Sequence, residues 1–236
     1  MSKTEKLNEL FDRWNDGSFD VFMKDGIVCE DSYEDVMFML KDVNNAVPDD
    51  VNDMRLDVQT STSGGKTWFE VASWTSGLLD GVLPDNITHD MQQKQLKRVA
   101  IMNIKKEAGG PKASRKDIMR YAIKDCHNIL EEIRICSPKL IVACSRDVFE
   151  IFCEEILDID ISETCSKFVF TDKMQDYGRF LDIREYLKAP DPVYLVEYRH
   201  PNQCGRQGSR EEHFKNMLTI RDEFMSRYLD EVMSKQ

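Results

Sequence analysis

Four short runs of apolar residues punctuate the chain, and each is followed by a longer segment of mixed polarity. They cover residues 36–40, 99–102, 140–144 and 193–196. Uninterrupted apolar runs of this length are typical of strands that are buried on both faces of a parallel sheet. Because helical patterns lie between the later runs, the chain is predicted to have an α/β fold. The expected architecture is three-layer α/β/α, with a central four-stranded, mainly parallel sheet.

Capping residues predict where two of the helices begin. Ser114 with Asp117, and Ser209 with Glu212, each match the signal of a helix N-terminus. Apolar residues at helical spacing follow both signals, so one face of each helix is expected to pack on the sheet.

The whole chain, residues 1–236, is predicted to form a single domain, because a length of 236 residues does not require a second core. Residues 1–35 are predicted to be an N-terminal helical extension on the outside of the fold. Residues 46–98 are predicted to be an insert between the first two strands, made of a long loop followed by a helix.

The composition is that of a globular protein, with 41% hydrophobic and 32% charged residues. The seven cysteines include no C-x-x-C pair, which argues against a disulfide framework or a zinc knuckle, and we expect no metal and no cofactor. No apolar run is long enough to span a membrane, and the N-terminus lacks the pattern of a signal peptide. We therefore expect a cytoplasmic monomer without a membrane partner.

Polar side chains follow three of the four apolar runs. Asp42, Asn103 and His200 are a carboxylate, an amide and an imidazole. In open parallel sheets the ligand crevice lies beyond the carboxyl ends of the strands, so these side chains are expected to share one site. Each also has an ordinary structural use: Asp42 in a turn, Asn103 bonded to backbone, and His200 in the core.

With these motifs in order, the chain resembles the uracil-DNA glycosylase superfamily. Leu40-Lys41-Asp42-Val43-Asn44, Met102-Asn103 and His200-Pro201-Asn202-Gln203 occupy the places of its three motifs. The resemblance implies that Asp42 positions or activates water, that Asn103 reads the edge of a flipped base, and that His200 stabilises the departing base. Asn44 is a further candidate for contact with the base.

The departures from the family pattern concern the base that is excised. Val43-Asn44 stands where members that act on plain uracil have a proline and an aromatic residue, so specificity for uracil is not expected. Asn103-Ile104-Lys105-Lys106 followed by Gly109-Gly110 resembles bacterial and phage-associated members. This resemblance implies a modified base, for example glucosylated hydroxymethylcytosine in phage DNA, and a role in anti-phage defence.

Such an enzyme must flip its target nucleotide out of duplex DNA, and contacts with the phosphate backbone offset the cost. The net charge of −11 is unfavourable for binding a polyanion, so the basic residues must be concentrated locally. Lysine runs are also common as solvated surface. The residues predicted to contact the DNA backbone are Lys105, Lys106, Lys112, Ser114, Arg115, Arg199, Asn202, Gln203, Arg206 and Arg210.

Three aromatic residues of the insert, Trp68, Phe69 and Trp74, are candidates for stacking on the flipped base, although aromatic side chains are more often part of the core. Two other functions fit the same residues. A nucleoside or nucleotide N-glycosidase, or a deoxyribosyltransferase, needs the acidic residue but not the basic loops. A non-catalytic nucleic-acid-binding or protein-binding module fits the acidic surplus.

Overall fold

The structure is a computed structural model of the 236-residue chain. The part that it describes comprises residues 1–44, 52–60, 65–83, 87–109, 113–170, 177–203 and 209–234.

The strands in this part of the chain form one mixed sheet of seven strands, in the order β1-β3-β2-β4-β7-β6-β5. Strands β3, β2, β4 and β7 pair in parallel, whereas β1, β6 and β5 are antiparallel to their neighbours. The strands are β1 (Gly26–Ile27), β2 (Val36–Asn44), β3 (Val99–Gly109), β4 (Leu140–Cys144), β5 (Ser166–Val169), β6 (Tyr177–Asp182) and β7 (Tyr194–Tyr198).

The predicted α/β class is confirmed, but the predicted sheet of four strands is wrong because the sheet is wider. The three additional strands have between two and six residues. Strand β1 has only two residues, and polar residues such as Lys167 in β5 and Arg179 in β6 interrupt the apolar pattern, so these strands lack the uninterrupted apolar runs by which β2, β3, β4 and β7 are recognised in the sequence.

Helices pack against both faces of the sheet. The two faces alternate along β2: Met37 and Met39 belong to one core cluster, and Val36 and Phe38 to the other. The described helices are α1 (Lys3–Trp14), α2 (Met54–Thr60), α3 (Lys66–Thr75), α4 (His89–Leu96), α5 (Arg115–Cys136), α6 (Arg146–Ile151), α7 (Ile161–Thr164), α8 (Arg184–Leu187) and α9 (Arg210–Ser234). One wide π-helical turn extends α3 over Ser76–Asp80, and another extends α6 over Phe152–Ile156.

Both predicted helix starts are confirmed. Ser114 caps α5 by accepting a hydrogen bond from the backbone of Asp117. Ser209 precedes α9, and its hydroxyl accepts a hydrogen bond from the backbone nitrogen of Glu212. These caps are local interactions within one turn, which is why the sequence alone predicts them.

Residues 1–35 and residues 46–98 both contain more regular secondary structure than was predicted. Residues 1–35 do contain a helix, α1, which buries Trp14. However, the same segment supplies β1, so it is part of the sheet rather than only an outer extension. The described residues of the segment 46–98 include α2, α3 and α4 and are therefore mainly helical, which corrects the prediction of a long loop with one helix.

Strands β2 and β3 continue beyond the predicted ends. Strand β2 pairs with β4 only from Val36 to Met39, whereas its pairing with β3 goes on from Leu40 opposite Asn103 to Asn44 opposite Gly109. The prediction that Asp42 and Asn103 follow their strands is therefore wrong. Both residues lie on a two-stranded extension that projects past the carboxyl end of β4.

Within the described residues, no helix combines the length and the apolar character that crossing a membrane requires.

Candidate active site

A cavity of about 350 Å³ lies at the two-stranded extension of the sheet. Its volume falls within the range of small-molecule sites in proteins. Asp42, Asn103 and His200, which are far apart in the sequence, all line it. The other residues of its wall are Met23, Leu40, Val43, Met54, Asp57, Gly65, Thr67, Trp68 and Asn202.

Asp42 is a half-buried carboxylate of the cavity wall. Burial raises the pKa of Asp42, and the positive charges of Lys105 and Lys41 partly oppose this effect. Lys105 lies opposite Asp42 in the register of β2 and β3. Asp42 thus occupies a place where the surrounding protein makes a carboxylate more basic than in water, as a residue that accepts a proton requires.

The Asn103 side chain is fully buried, and a single carboxylate sets its orientation. Asp25 Oδ2 accepts hydrogen bonds from the backbone nitrogen of Asn103 at 2.7 Å and from its Nδ2 at 3.1 Å. Nδ2 also lies 3.7 Å from the sulfur of Met54. Since a carboxylate only accepts, the amide nitrogen must face Asp25. The amide oxygen Oδ1 has no hydrogen-bond partner among the described residues.

Behind Asn103 lies a buried cluster of charges. Lys106 is fully buried and forms ion pairs with Asp25 and with Glu132, the latter at 2.7 Å between Nζ and Oε2. Although burial alone disfavours its charge, these two carboxylates raise the pKa of Lys106. Burial, reinforced by the charge of Asp25, raises the pKa of Glu132 well above its ordinary value. The two carboxylates therefore stabilise the charged form of Lys106, whereas burial and the charge of Asp25 disfavour the charged form of Glu132.

His200 is neutral and has a defined tautomer. Burial, assisted by the charge of Lys41, lowers the pKa of His200 to about 4. Its Nδ1 accepts a hydrogen bond from the backbone nitrogen of Asn202 at 3.2 Å. The ring proton is therefore on Nε2, so His200 can donate one hydrogen bond but carries no charge near neutral pH.

The three candidate aromatic residues have different positions. Trp68 lines the cavity, as a base-stacking residue must. Trp74 is buried in the core against Phe38 and Tyr198, so its predicted contact with the base is wrong. Phe69 is not part of the wall, and its ring lies 5.1 Å from the guanidinium of Arg210.

Several residues predicted to bind the DNA backbone are not available at the surface. Lys105, Lys106 and Arg199 are at most 9% exposed, so their predicted phosphate contacts are wrong. Arg115 is exposed, but its guanidinium is 3.1 Å from Asp147 and 2.9 Å from Glu150. In each case, tertiary neighbours that the local sequence does not show have taken up or covered the side chain.

The remaining backbone-contact candidates have varied surroundings. Ser114 is exposed and is used as the cap of α5. Asn202 and Gln203 are exposed. Asn202 also lines the cavity, and its Oδ1 accepts a hydrogen bond from Thr67 at 2.7 Å. Three candidates lie outside the described residues: Lys112, Arg206 and the side chain of Asn44.

Sequence reasoning missed several residues of the site. Asp25 precedes β1 and reaches Asn103, 78 positions away. Asp57 and Thr67 come from α2 and α3 of the insert. No local pattern marks these positions, since each reaches the cavity only through the packing of separate elements. Of the aromatic residues singled out in the insert, Trp68 lies in this wall.

Within the described part of the chain, no group of three or more His, Cys, Asp or Glu side chains is arranged to hold a metal ion. No known family model matches the chain, and no curated protein is significantly similar to it. The geometry of the cavity therefore carries the functional assignment.

Proposed function

We propose that this protein is a DNA glycosylase that hydrolyses the N-glycosidic bond of a modified base flipped into the cavity. The observation that carries this proposal is that Asp42, Asn103 and His200 line one cavity. Their side chains supply a carboxylate, a base-reading amide and a neutral hydrogen-bond donor. This combination suits a reaction that develops positive charge on a sugar and negative charge on a leaving base.

The proposed fold relationship is to the uracil-DNA glycosylase superfamily. It is supported by the four central strands, which pair in parallel, and by the helices that cover both faces of the sheet. It is also supported by the place of the cavity beyond the carboxyl end of β4, where ligands bind in open parallel sheets.

In the proposed reaction, a water molecule attacks C1′ of the sugar while the bond from C1′ to the base nitrogen breaks. The electron pair of that bond stays on the base. Asp42 accepts a proton from the attacking water, and its negative charge stabilises the positive charge on the sugar. The products are an abasic site in the DNA and the free base.

His200 and Asn103 act on the base. The Nε2 proton of His200 donates a hydrogen bond that stabilises charge on the departing base, without transferring a proton from a charged imidazole. Asn103 accepts a hydrogen bond from the base through Oδ1, and Trp68 contributes an aromatic surface for stacking.

A second candidate substrate is a free nucleoside or nucleotide. The burial of Lys106 and Arg199 and the ion pairs of Arg115 favour it, because they remove cations that would bind a phosphate backbone. The chemistry at Asp42 is the same for both substrates, so only a comparison of substrates separates the two functions.

The test is release of base from matched substrates. The purified full chain is incubated with duplex and single-stranded DNA containing uracil, hypoxanthine, hydroxymethylcytosine, glucosylated hydroxymethylcytosine or N-methylated bases, and with the corresponding nucleosides. Released base is identified by mass spectrometry, and abasic sites by alkaline cleavage. We expect release from DNA carrying at least one modified base.

Two variants that each remove one carboxylate make the result specific. Asp42→Asn is expected to lower the rate of release by about 100-fold or more, a common size of effect for the loss of a catalytic base. Asp20→Asn, at an exposed position outside the cavity wall, should keep the full rate. Release from nucleosides alone would favour the second candidate, and no release from any substrate would overturn both.

A further inference from the structure

The amide of Asn103 is buried in the wall of the cavity, and its nitrogen already has partners in the protein. Asp25 Oδ2 lies 3.1 Å from Nδ2, and the sulfur of Met54 lies 3.7 Å from it. An amide nitrogen carries two hydrogens, and these two acceptors match that number. The donor end of the Asn103 side chain is therefore engaged within the protein.

The oxygen of the same amide has the opposite surroundings. Oδ1 of Asn103 is buried and has no hydrogen-bond partner among the described residues. Because buried polar atoms in proteins are nearly always paired, an acceptor of this kind in the wall of a cavity points to a ligand. The ligand that satisfies it must offer a hydrogen to Oδ1.

Asp25 prevents the two ends of this amide from changing places. An asparagine side chain can in general present either its oxygen or its nitrogen, since the two ends are similar in shape. Asp25 Oδ2 accepts from the backbone nitrogen of Asn103 at 2.7 Å as well as from Nδ2, and the other oxygen of Asp25 accepts from the buried Lys106. A turned amide would place its oxygen against a carboxylate that has no hydrogen to give. Asn103 is thus fixed as an acceptor.

A second polar group of the wall has a fixed and complementary role. His200 Nδ1 accepts a hydrogen bond from the backbone nitrogen of Asn202, so Nε2 carries the ring proton. Burial lowers the pKa of His200 to about 4, which keeps the ring uncharged near neutral pH. His200 can therefore donate to a carbonyl or ring nitrogen of a base, while Asn103 accepts from it.

Amino and oxo bases of the same size differ at the edge that Asn103 would read. An amino group directs a hydrogen at Oδ1, whereas a carbonyl in the same place directs lone pairs at it. An oxo base can offer its ring N–H instead, but a carbonyl then lies beside that hydrogen, and Nδ2 is engaged with Asp25 and Met54. A buried polar group that is left unpaired is what allows a site to reject an analogue of the same shape.

We infer that Asp25 is a positioning residue for base recognition, because it fixes Asn103 as an acceptor that selects a base with an exocyclic amino group over the corresponding oxo base. This inference rests on the proposed glycosylase function and narrows its substrate class. Cytosine-type and adenine-type bases belong to the selected class, whereas uracil-type and hypoxanthine-type bases do not.

Matched pairs that differ in this one group test the inference. The first pair is 5-hydroxymethyl-2′-deoxycytidine with 5-hydroxymethyl-2′-deoxyuridine, and the second is 2′-deoxyadenosine with 2′-deoxyinosine. Isothermal titration calorimetry uses the full chain, with each base as a free nucleoside and within a short single strand. In the pair that binds more strongly, the amino member should bind about tenfold more tightly, the scale of one buried hydrogen bond. Equal affinities in that pair, tighter binding of its oxo member, or binding of none of the four bases in either form would overturn the inference.

Variants assign the preference to Asn103 and Asp25. Asn103→Ala removes the acceptor, and Asp25→Asn provides an amide that can pair with either end of Asn103. Both should reduce the ratio of the two affinities to about threefold or less. A purely structural defect would weaken both members of a pair alike and leave this ratio unchanged. Asn15→Ala, at the exposed residue that ends α1, makes the same chemical change as Asn103→Ala and should keep the full ratio.

Circular dichroism establishes that each variant is folded. Because Asp25 also pairs with Lys106, Asn103→Ala decides the outcome where Asp25→Asn does not fold. An unchanged ratio in folded Asn103→Ala would overturn the reading of the base by this amide. An unchanged ratio in folded Asp25→Asn would overturn the positioning role.

The base-release assay separates this inference from the proposed function. A preference for amino bases in binding, without release from any DNA, would support the role of Asp25 and Asn103 and overturn the glycosylase. Release of the amino and oxo members of both pairs from DNA at equal rates would support the glycosylase and overturn the inference.

Discussion

Burial shifts the pKa of two ionisable side chains of the cavity, Asp42 and His200. Asp42 has a raised pKa because it is partly buried, although Lys105 and Lys41 oppose the shift. His200 has a lowered pKa for the same main reason, since burial disfavours the charged form of either group. Together they place a basic carboxylate and a neutral imidazole at one site.

The shifted pKa of His200 predicts a pH dependence of stability. Between pH 6.5 and pH 4 the unfolded chain binds a proton at this position that the folded chain does not bind. The free energy of unfolding should therefore fall as the pH is lowered through this window, by about 3 kcal/mol at most from this residue.

Urea denaturation at several pH values checks this expectation. His200→Gln removes the titrating ring, so its free energy of unfolding should fall less over the same window. His127→Gln, at an exposed position on α5, should keep the wild-type dependence. A wild-type dependence in His200→Gln would contradict the burial of a neutral His200.

At the scale of secondary-structure elements, the buried cluster around Lys106 joins parts of the chain that are distant in sequence. Lys106 lies on β3, Glu132 on α5, and Asp25 directly before β1. Asp25 in turn binds Asn103 on β3. The N-terminal segment thereby supports the cavity from behind, and the orientation of the Asn103 amide depends on it.

Lys106→Met should lower the free energy of unfolding by about 3–5 kcal/mol, because the change leaves the carboxylate of Asp25 buried without its cation. Chemical denaturation measures the loss. Lys116→Met, at an exposed position on α5, serves as the control and should change stability little. Adding Asp25→Asn to Lys106→Met should restore part of the loss, and a double variant no more stable than the single one would contradict this explanation.

Ser114 caps α5 and is also predicted from the sequence to contact a DNA phosphate. Ser114→Ala should destabilise the protein by about 1 kcal/mol through the loss of the α5 cap, which thermal unfolding measures. Ser114→Asn, another good capping residue, should retain the stability. Binding to DNA should be unchanged in both, and a loss of DNA affinity at full stability would instead support the phosphate contact predicted from the sequence.

At the scale of the whole molecule, net charge affects how the proposed glycosylase would bind DNA. The chain has a net charge of −11, and several cations expected at the DNA interface are buried or ion-paired. If the protein acts on DNA as proposed, binding energy must therefore come mainly from the base in the cavity rather than from the phosphate backbone.

The affinity for duplex DNA containing the preferred base should consequently depend weakly on salt. The slope of log K against log salt concentration should be shallower than about −3, since each neutralised phosphate contributes about −0.9. Fluorescence anisotropy over a range of salt concentrations measures this slope. The same measurement is made on Lys66→Ala, beside the cavity, and on Lys116→Ala, on α5, for comparison. A slope steeper than about −5 would contradict this view of the surface.

Local pattern determined a large part of the fold. Uninterrupted apolar runs predict β2, β3, β4 and β7, because a strand covered on both faces must be apolar along its length. Capping residues predict where α5 and α9 begin, because a cap satisfies backbone groups within one turn. Strands β1, β5 and β6 have no uninterrupted apolar run and carry no such signal, and neither do the boundaries of the two-stranded extension.

For the site, the sequence by itself singled out Asp42, Asn103 and His200 and predicted that they share one site, as they do. Only the tertiary structure decided which other residues complete the cavity, that Asp25 orients Asn103, and that Lys106 is buried rather than exposed. The physical reason is distance along the chain. Helical and strand periodicity act over a few residues, whereas burial and charge pairing depend on partners such as Asp25 and Lys106, which are 81 positions apart.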